Sequence, residues 1–168
     1  RQFDIPCKIK NKQNIFDTEA SSLLILFINC LLNPRVYKNI TLLAASKFVE
    51  IELEELLDDG ISNNLEILIN KCIIWSQEIR EKGFLNIVNE LLINYKPSSI
   101  IQDLDLNSNL FQLTEIIEIE LINNDFNLNK VFKWYKNQLD HSLRICTGED
   151  FLTKDYNLQN GINLTTIH

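Results

Sequence analysis

Turn-forming residues are scarce in this chain, with 4 glycines and 3 prolines among 168 residues. Usual shares are roughly 7% and 5%. That scarcity excludes an architecture of many tight hairpins, whose turns need such residues. It predicts long helices with few breaks. Methionine is absent. An initiator Met is not normally trimmed before a residue as large as Arg1, so the sequence reads as an excised piece of a longer protein. No apolar run reaches the roughly 18 residues that argue for a membrane span. The longest, Leu23–Leu32, is interrupted by Asn29. Cys7, Cys30, Cys72 and Cys146 lie far apart and form no C-x-x-C pair. They are expected to be buried small hydrophobes in a reducing, cytoplasmic setting.

Positive charge is also in deficit. The chain carries 16 Lys and Arg against 23 Asp and Glu, a net charge of −7. That balance disfavours strong unaided binding to nucleic-acid phosphates. Neither a G-x-x-x-x-G-K-[ST] phosphate loop nor a G-x-G-x-x-G turn occurs. The two histidines, His141 and His168, belong to no H-x-x-x-H or E-x-x-H pattern, so a metal-dependent bundle lacks its ligands. What is plentiful is Asn (21) and Ile (24), the composition expected from an AT-rich genome.

The apolar pattern predicts an all-α fold, a single helical domain over residues 1–168 with one short strand at each end. Residues 3–10 contain the first strand, centred on Cys7–Lys10. Asp17 is placed to cap a helix over Thr18–Leu32, in which Ala20, Leu23, Leu24, Phe27, Ile28 and Leu31 recur at helical spacing. Asn33-Pro34 ends it. Further helices are expected over Val36–Phe48, Ile51–Leu57 (short and acidic), Leu65–Lys82, Phe84–Tyr95, Leu110–Ile122 and Lys130–Leu143. Gly83 suits the end of the fourth, and Asn127 or Asn129 the start of the last. A helical turn follows Pro97 as far as Asp103. Cys146–Asn160 reads as a polar loop, and residues 161–168 as a β-rich strand. Two terminal strands cannot form a stable sheet by themselves. They read as cut edges of a neighbouring sheet from which the helical block protrudes.

The chemistry such a block could carry is limited. Glu50, Glu52, Glu54, Glu55, Asp58 and Asp59 could in principle meet a hard cation, but the loop glycines and ligand spacing of such sites are missing. They read as a solvated acidic face, as do Glu115, Glu118 and Glu120. Lys130, Lys133 and Lys136 lie at i, i+3 and i+6 beside Trp134 and Tyr135. Such a row can touch a nucleic-acid backbone, or it can be the wet side of a core helix; the second reading is the more common one.

The end of the chain says more. Leu164-Thr165-Thr166-Ile167-His168 resembles the lead-in to motif V of the UvrD-like helicases, where a strand ends in T-x-H. Ile5-Pro6, Ile15-Phe16-Asp17-Thr18-Glu19-Ala20 and the apolar helix closing at Leu32-Asn33-Pro34 resemble the RecB-like pattern I/V-P, S-V-F-x-x-x-E-A, Leu-rich helix, Pro. Leu42–Phe48 is similar to that family's A-L-A-T segment. Trp75 to Gly83-Phe84, with Leu85 to Leu92, is similar to its W-x-x-x-G-(x)-x-x-L-x-x-L-L segment. Leu113–Leu121 resembles its L-x-E-L-L helix, Val131-Phe132-Lys133-Trp134-Tyr135 its L-x-x-W-L helix, and Arg144 the Arg before the motif V strand. Order and spacing agree over essentially the whole chain.

The resemblance implies the helical 2B subdomain of a RecB-like protein, the beta subunit of exodeoxyribonuclease V. That enzyme is an ATP-dependent DNA helicase and nuclease acting with RecC-like and RecD-like subunits in recombinational double-strand-break repair. Residues 3–10 and 161–168 would then be strands of the adjoining RecA-like motor domain. Thr166 and His168 would lie near the single-stranded DNA track. ATP and Mg would belong to the parent protein, with no cofactor and no catalysis in this piece. Asn107-Ser108-Asn109-Leu110-Phe111 departs from the family's basic G-E-R-R-L-T stretch, and the S-K-G-L-E half of motif V is not in the chain. The rival expectation is a free-standing all-helical protein-interaction module.

Overall fold

The computed structural model of the chain describes residues 13–52, 63–142 and 151–153. Among these residues the regular structure is helical: α1 (Glu19–Leu32), α2 (Tyr37–Ala44), α3 (Asn63–Lys82), α4 (Phe84–Tyr95), α5 (Ser98–Gln102), α6 (Leu104–Asn123) and α7 (Leu128–Ser142), preceded by a 3-10 turn at Ile15–Asp17. The expected all-α class is what forms. The expected strands at 3–10 and 161–168 lie outside the described residues.

α1 is central because its sequence is apolar on most sides. Ala20, Leu23, Leu24, Phe27, Ile28, Cys30 and Leu31 are all buried. It packs against α2, α3, α6 and α7. A helix hydrophobic nearly all round must be enclosed by others. Phe27 occupies the middle, with ring centroids 5.9 Å from Phe48, 5.8 Å from Trp75 and 6.1 Å from Phe84. A second aromatic group forms where α1 meets α7. Phe16 stands 5.3 Å from Tyr135, 6.0 Å from Trp134 and 5.4 Å from Phe151. The buried Tyr135 hydroxyl is 2.8 Å from Ser21 Oγ, so each satisfies the other in the core.

Several boundaries differ from those the pattern predicts, for local reasons. Asp17 sits in the 3-10 turn and leaves the cap position of α1 to Thr18, whose hydroxyl donates back to the Ile15 carbonyl. α2 stops at Ala44, not Phe48, because the Ser46 hydroxyl donates to Leu43 O and accepts from the Phe48 amide, folding 45–49 into a turn. Ile51 and Glu52 are not helical, and the rest of the predicted acidic helix, residues 53–57, lies outside the described residues. α6 begins at Leu104, six residues before the expected Leu110. Asp103 accepts a 3.0 Å bond from the Leu106 amide and so caps the helix there. The burial of Leu106 and Leu110 overrides the weak propensity of Asn107, Ser108 and Asn109. α7 starts at Leu128, two residues before the expected Lys130. Asn127 rather than Asn129 serves it, its Oδ1 accepting from the Lys130 amide at 3.1 Å.

Candidate functional site

The two ends of the helical block meet. Asn14 pairs with Leu152 in an antiparallel bridge, and the Thr153 amide donates to Gln13 O at 3.0 Å. Gln112, buried within α6, donates its side-chain amide to Leu152 O at 2.8 Å. The Phe151 ring lies against Phe16. The incoming and outgoing segments are therefore held side by side on the helical core. The expected Thr166 and His168 lie outside the described residues. So do Arg144 and, apart from residues 151–153, the expected polar loop Cys146–Asn160.

Of the carboxylates expected to form solvated faces, Glu50, Glu118 and Glu120 hold structural partners instead, Glu52 is exposed, and Glu54, Glu55, Asp58 and Asp59 lie outside the described residues. Glu50 has a left-handed backbone, φ 56°. Its carboxylate accepts from the Ser98 amide, the Ser98 hydroxyl and the Ser99 amide, each at 2.9 Å, holding the start of α5 across 48 positions. These bonds, Ser99's foremost, hold its pKa down to about 2 from an ordinary 4.5. A depressed carboxylate stabilises the fold fully above its unfolded value, and that contribution fades as the pH falls from about 4.5 towards 2. Because the group is half-buried and still meets solvent, its worth is that of an ordinary cap, about 1 kcal/mol. Glu50→Gln is expected to lose about that much at neutral pH and to flatten the acid limb of the stability profile. Urea titrations between pH 5 and 3 check this; parallel profiles for the two proteins would refute it.

Glu118 is the second correction. It is half-buried, and its carboxylate accepts from the Phe84 and Leu85 amides at the start of α4, the latter at 3.0 Å. Glu120 accepts from the Asn124 side chain at 3.2 Å, within the turn that closes α6. Glu115 alone of the three is exposed and fits the solvated reading.

Asp17, Glu19, Asp103 and Asp105 line an open groove of about 220 Å³ with Gln13, Thr18 and Asn109. Glu19 is held by Lys47 at 2.8 Å and Asp103 by the α6 amide. Among the described residues, no three His, Cys, Asp or Glu side chains come together in a way that could hold a metal ion. Cys30 and Cys72 are buried thiols, as expected. Burial raises the pKa of Cys30 to about 12 and that of Cys72 further, so neither is a nucleophile. Cys7 and Cys146 lie outside the described residues.

The aromatic–lysine row on α7 divides between both readings. Tyr135 is wholly buried and Trp134 is half-buried against the core. Lys130, Lys133 and Lys136 are exposed. The Lys136 ammonium rests 4.5 Å from the centre of the Phe132 ring.

Gln112, Glu118 and Glu50 are the residues whose roles the sequence did not disclose. Each acts on a partner 33 or more positions away. Gln112 carries no periodic signal, since it stands about 100° round α6 from Leu113 and about 120° from Leu106. No helix among the described residues is long and apolar enough to cross a membrane. Compared with known protein families and with curated proteins, the chain matches none, so the fold and its residues carry the functional reading.

Proposed function

We propose that the chain is the helical 2B-like insertion of a RecB-like, ATP-dependent DNA helicase and exonuclease. It positions DNA and RecC-like and RecD-like partner subunits while motor domains elsewhere in the parent consume ATP. Catalysis by the block itself is not part of the reading. The observation that supports it is the meeting of the two ends, Asn14 with Leu152 and Gln13 with Thr153. A block whose ends lie together can be carried on a host domain without disturbing the host's own strands. The motif order from Ile5-Pro6 to His168 supplies the identity of that host. In this reading Thr166 and His168 approach single-stranded DNA.

The test is the sequence of the parent gene, followed by its activity. A G-K-T loop upstream and S-K-G-L-E after His168 are expected. Replacing residues 13–153 of that parent by a short Gly-Ser linker should keep DNA-stimulated ATP hydrolysis and abolish processive unwinding. A stop codon directly after His168 would overturn the helicase reading and leave the free-standing interaction module.

A further inference from the structure

We infer that the exposed face of α7 is a contact surface for the phosphate backbone of nucleic acid, read without regard to sequence. The charge distribution carries this. In a chain of net charge −7, α7 gathers Lys130, Lys133 and Lys136 with Asp140 as its single described acid. Among the other described cations, Arg35, Lys38, Arg80 and Lys96 are also exposed, but no three of them share one helix. Lys47 pairs with Glu19, Lys82 with Glu78 and Glu90, and Lys71 lies over the Tyr95 ring. Among the described residues, no carboxylate pairs with any of the three α7 ammonium groups.

The arrangement is a row, not a scatter. At 100° per residue, positions 130, 133 and 136 fall within a 120° arc, and at 1.5 Å rise they span about 9 Å along the axis. Exposed Asn129 and Asn137 flank the row with amide donors, a side-chain type that also serves phosphate oxygens. The Phe132 ring beneath Lys136 holds that ammonium at the surface. The opposite face of α7 is fixed in the core through Leu128, Val131 and Tyr135. A membrane-lying helix needs free apolar side chains beside its lysines, and none of the large exposed hydrophobic side chains belongs to α7. The row therefore suits a regular polyanion. The choice of nucleic acid over an acidic polypeptide rests on the proposed function.

The test is fluorescence anisotropy of the 168-residue chain with a labelled DNA duplex across a salt series. Three phosphate contacts give a log–log slope of about −2.7, a loss of roughly two hundred-fold between about 20 and 150 mM salt. The variant Lys130→Gln/Lys133→Gln/Lys136→Gln is expected to weaken binding at low salt at least about tenfold and to remove most of the slope. The control Lys38→Gln/Arg80→Gln/Lys96→Gln changes the net charge equally and should bind like the unaltered chain. Thermal melts of both variants should match it, since these are surface positions. Equal losses in the two variants, or no binding by the unaltered chain at low salt, would overturn the inference. So would polyglutamate or anionic vesicles competing as well as DNA. Failure here is separable from failure of the helicase reading: a parent that hydrolyses ATP on DNA but whose α7 variant binds normally keeps its motor and loses only this surface.

Discussion

Phe27→Ala is expected to destabilise the chain by about 3–5 kcal/mol, the cost of deleting a fully buried aromatic ring. The side chain is wholly inaccessible and its ring meets those of Phe48, Trp75 and Phe84. Those three partners come from the turn after α2, from α3 and from α4. The cavity would thus open between elements that touch through α1, where no single side chain can collapse to fill it. A domain of this size has about 5–15 kcal/mol of stability in total, so at least about a fifth of the margin goes. Urea unfolding should show a large fall in midpoint with an unchanged slope. Phe27→Leu keeps much of the volume and should lose roughly half as much. Ile93→Ala, at a site 69% exposed, should stay within about 0.5 kcal/mol. A loss below about 1 kcal/mol for Phe27→Ala would mean that the ring is not where four elements converge.

Gly83→Ala is the second large effect, expected at about 2–4 kcal/mol, and its cause is double. Gly83 joins α3 to α4 with φ 80° and ψ 153°. Side-chain-bearing residues avoid that region at a cost of about 1–3 kcal/mol. A Cβ there would also stand 2.7 Å from Glu118 Oε1. The carboxylate can swing away, but then it abandons the amides of Phe84 and Leu85 that it caps. Glu118→Ala alone should cost about 1 kcal/mol, a capping value. In that background, Gly83→Ala should cost less than it does alone, because only the backbone component remains. The double-mutant cycle isolates the coupling. Identical costs in both backgrounds would remove the carboxylate from the explanation, and a neutral Gly83→Ala would refute the strained backbone.

The same junction shows how far the sequence is legible. Gly83 was expected to close α3, and its amide does donate to Ile79 O. That expectation needed only the spacing of Leu65, Leu68, Cys72, Trp75 and Ile79 and a glycine after the last turn. The use of Glu118 as the cap of the following helix was not legible, since the pairing spans 34 positions. Glu50 repeats the lesson: within its acidic run it looks like one more solvated carboxylate, while its partners are Ser98 and Ser99. The α7 row was visible as a pattern. Only the burial of Tyr135 against Ser21 turned it into a face with a fixed inside and outside.

What the sequence determined by itself is the helical class, the central apolar helix α1 and most helix boundaries. Those depend on periodicity, capping residues and breakers within one or two turns of chain. What only the tertiary structure decided is the meeting of Asn14 with Leu152, the latch from Gln112, and the long-range caps from Glu50 and Glu118. A hydrogen bond is directional and short, so its partner is set by how helices pack, and packing is non-local information that no window of residues contains.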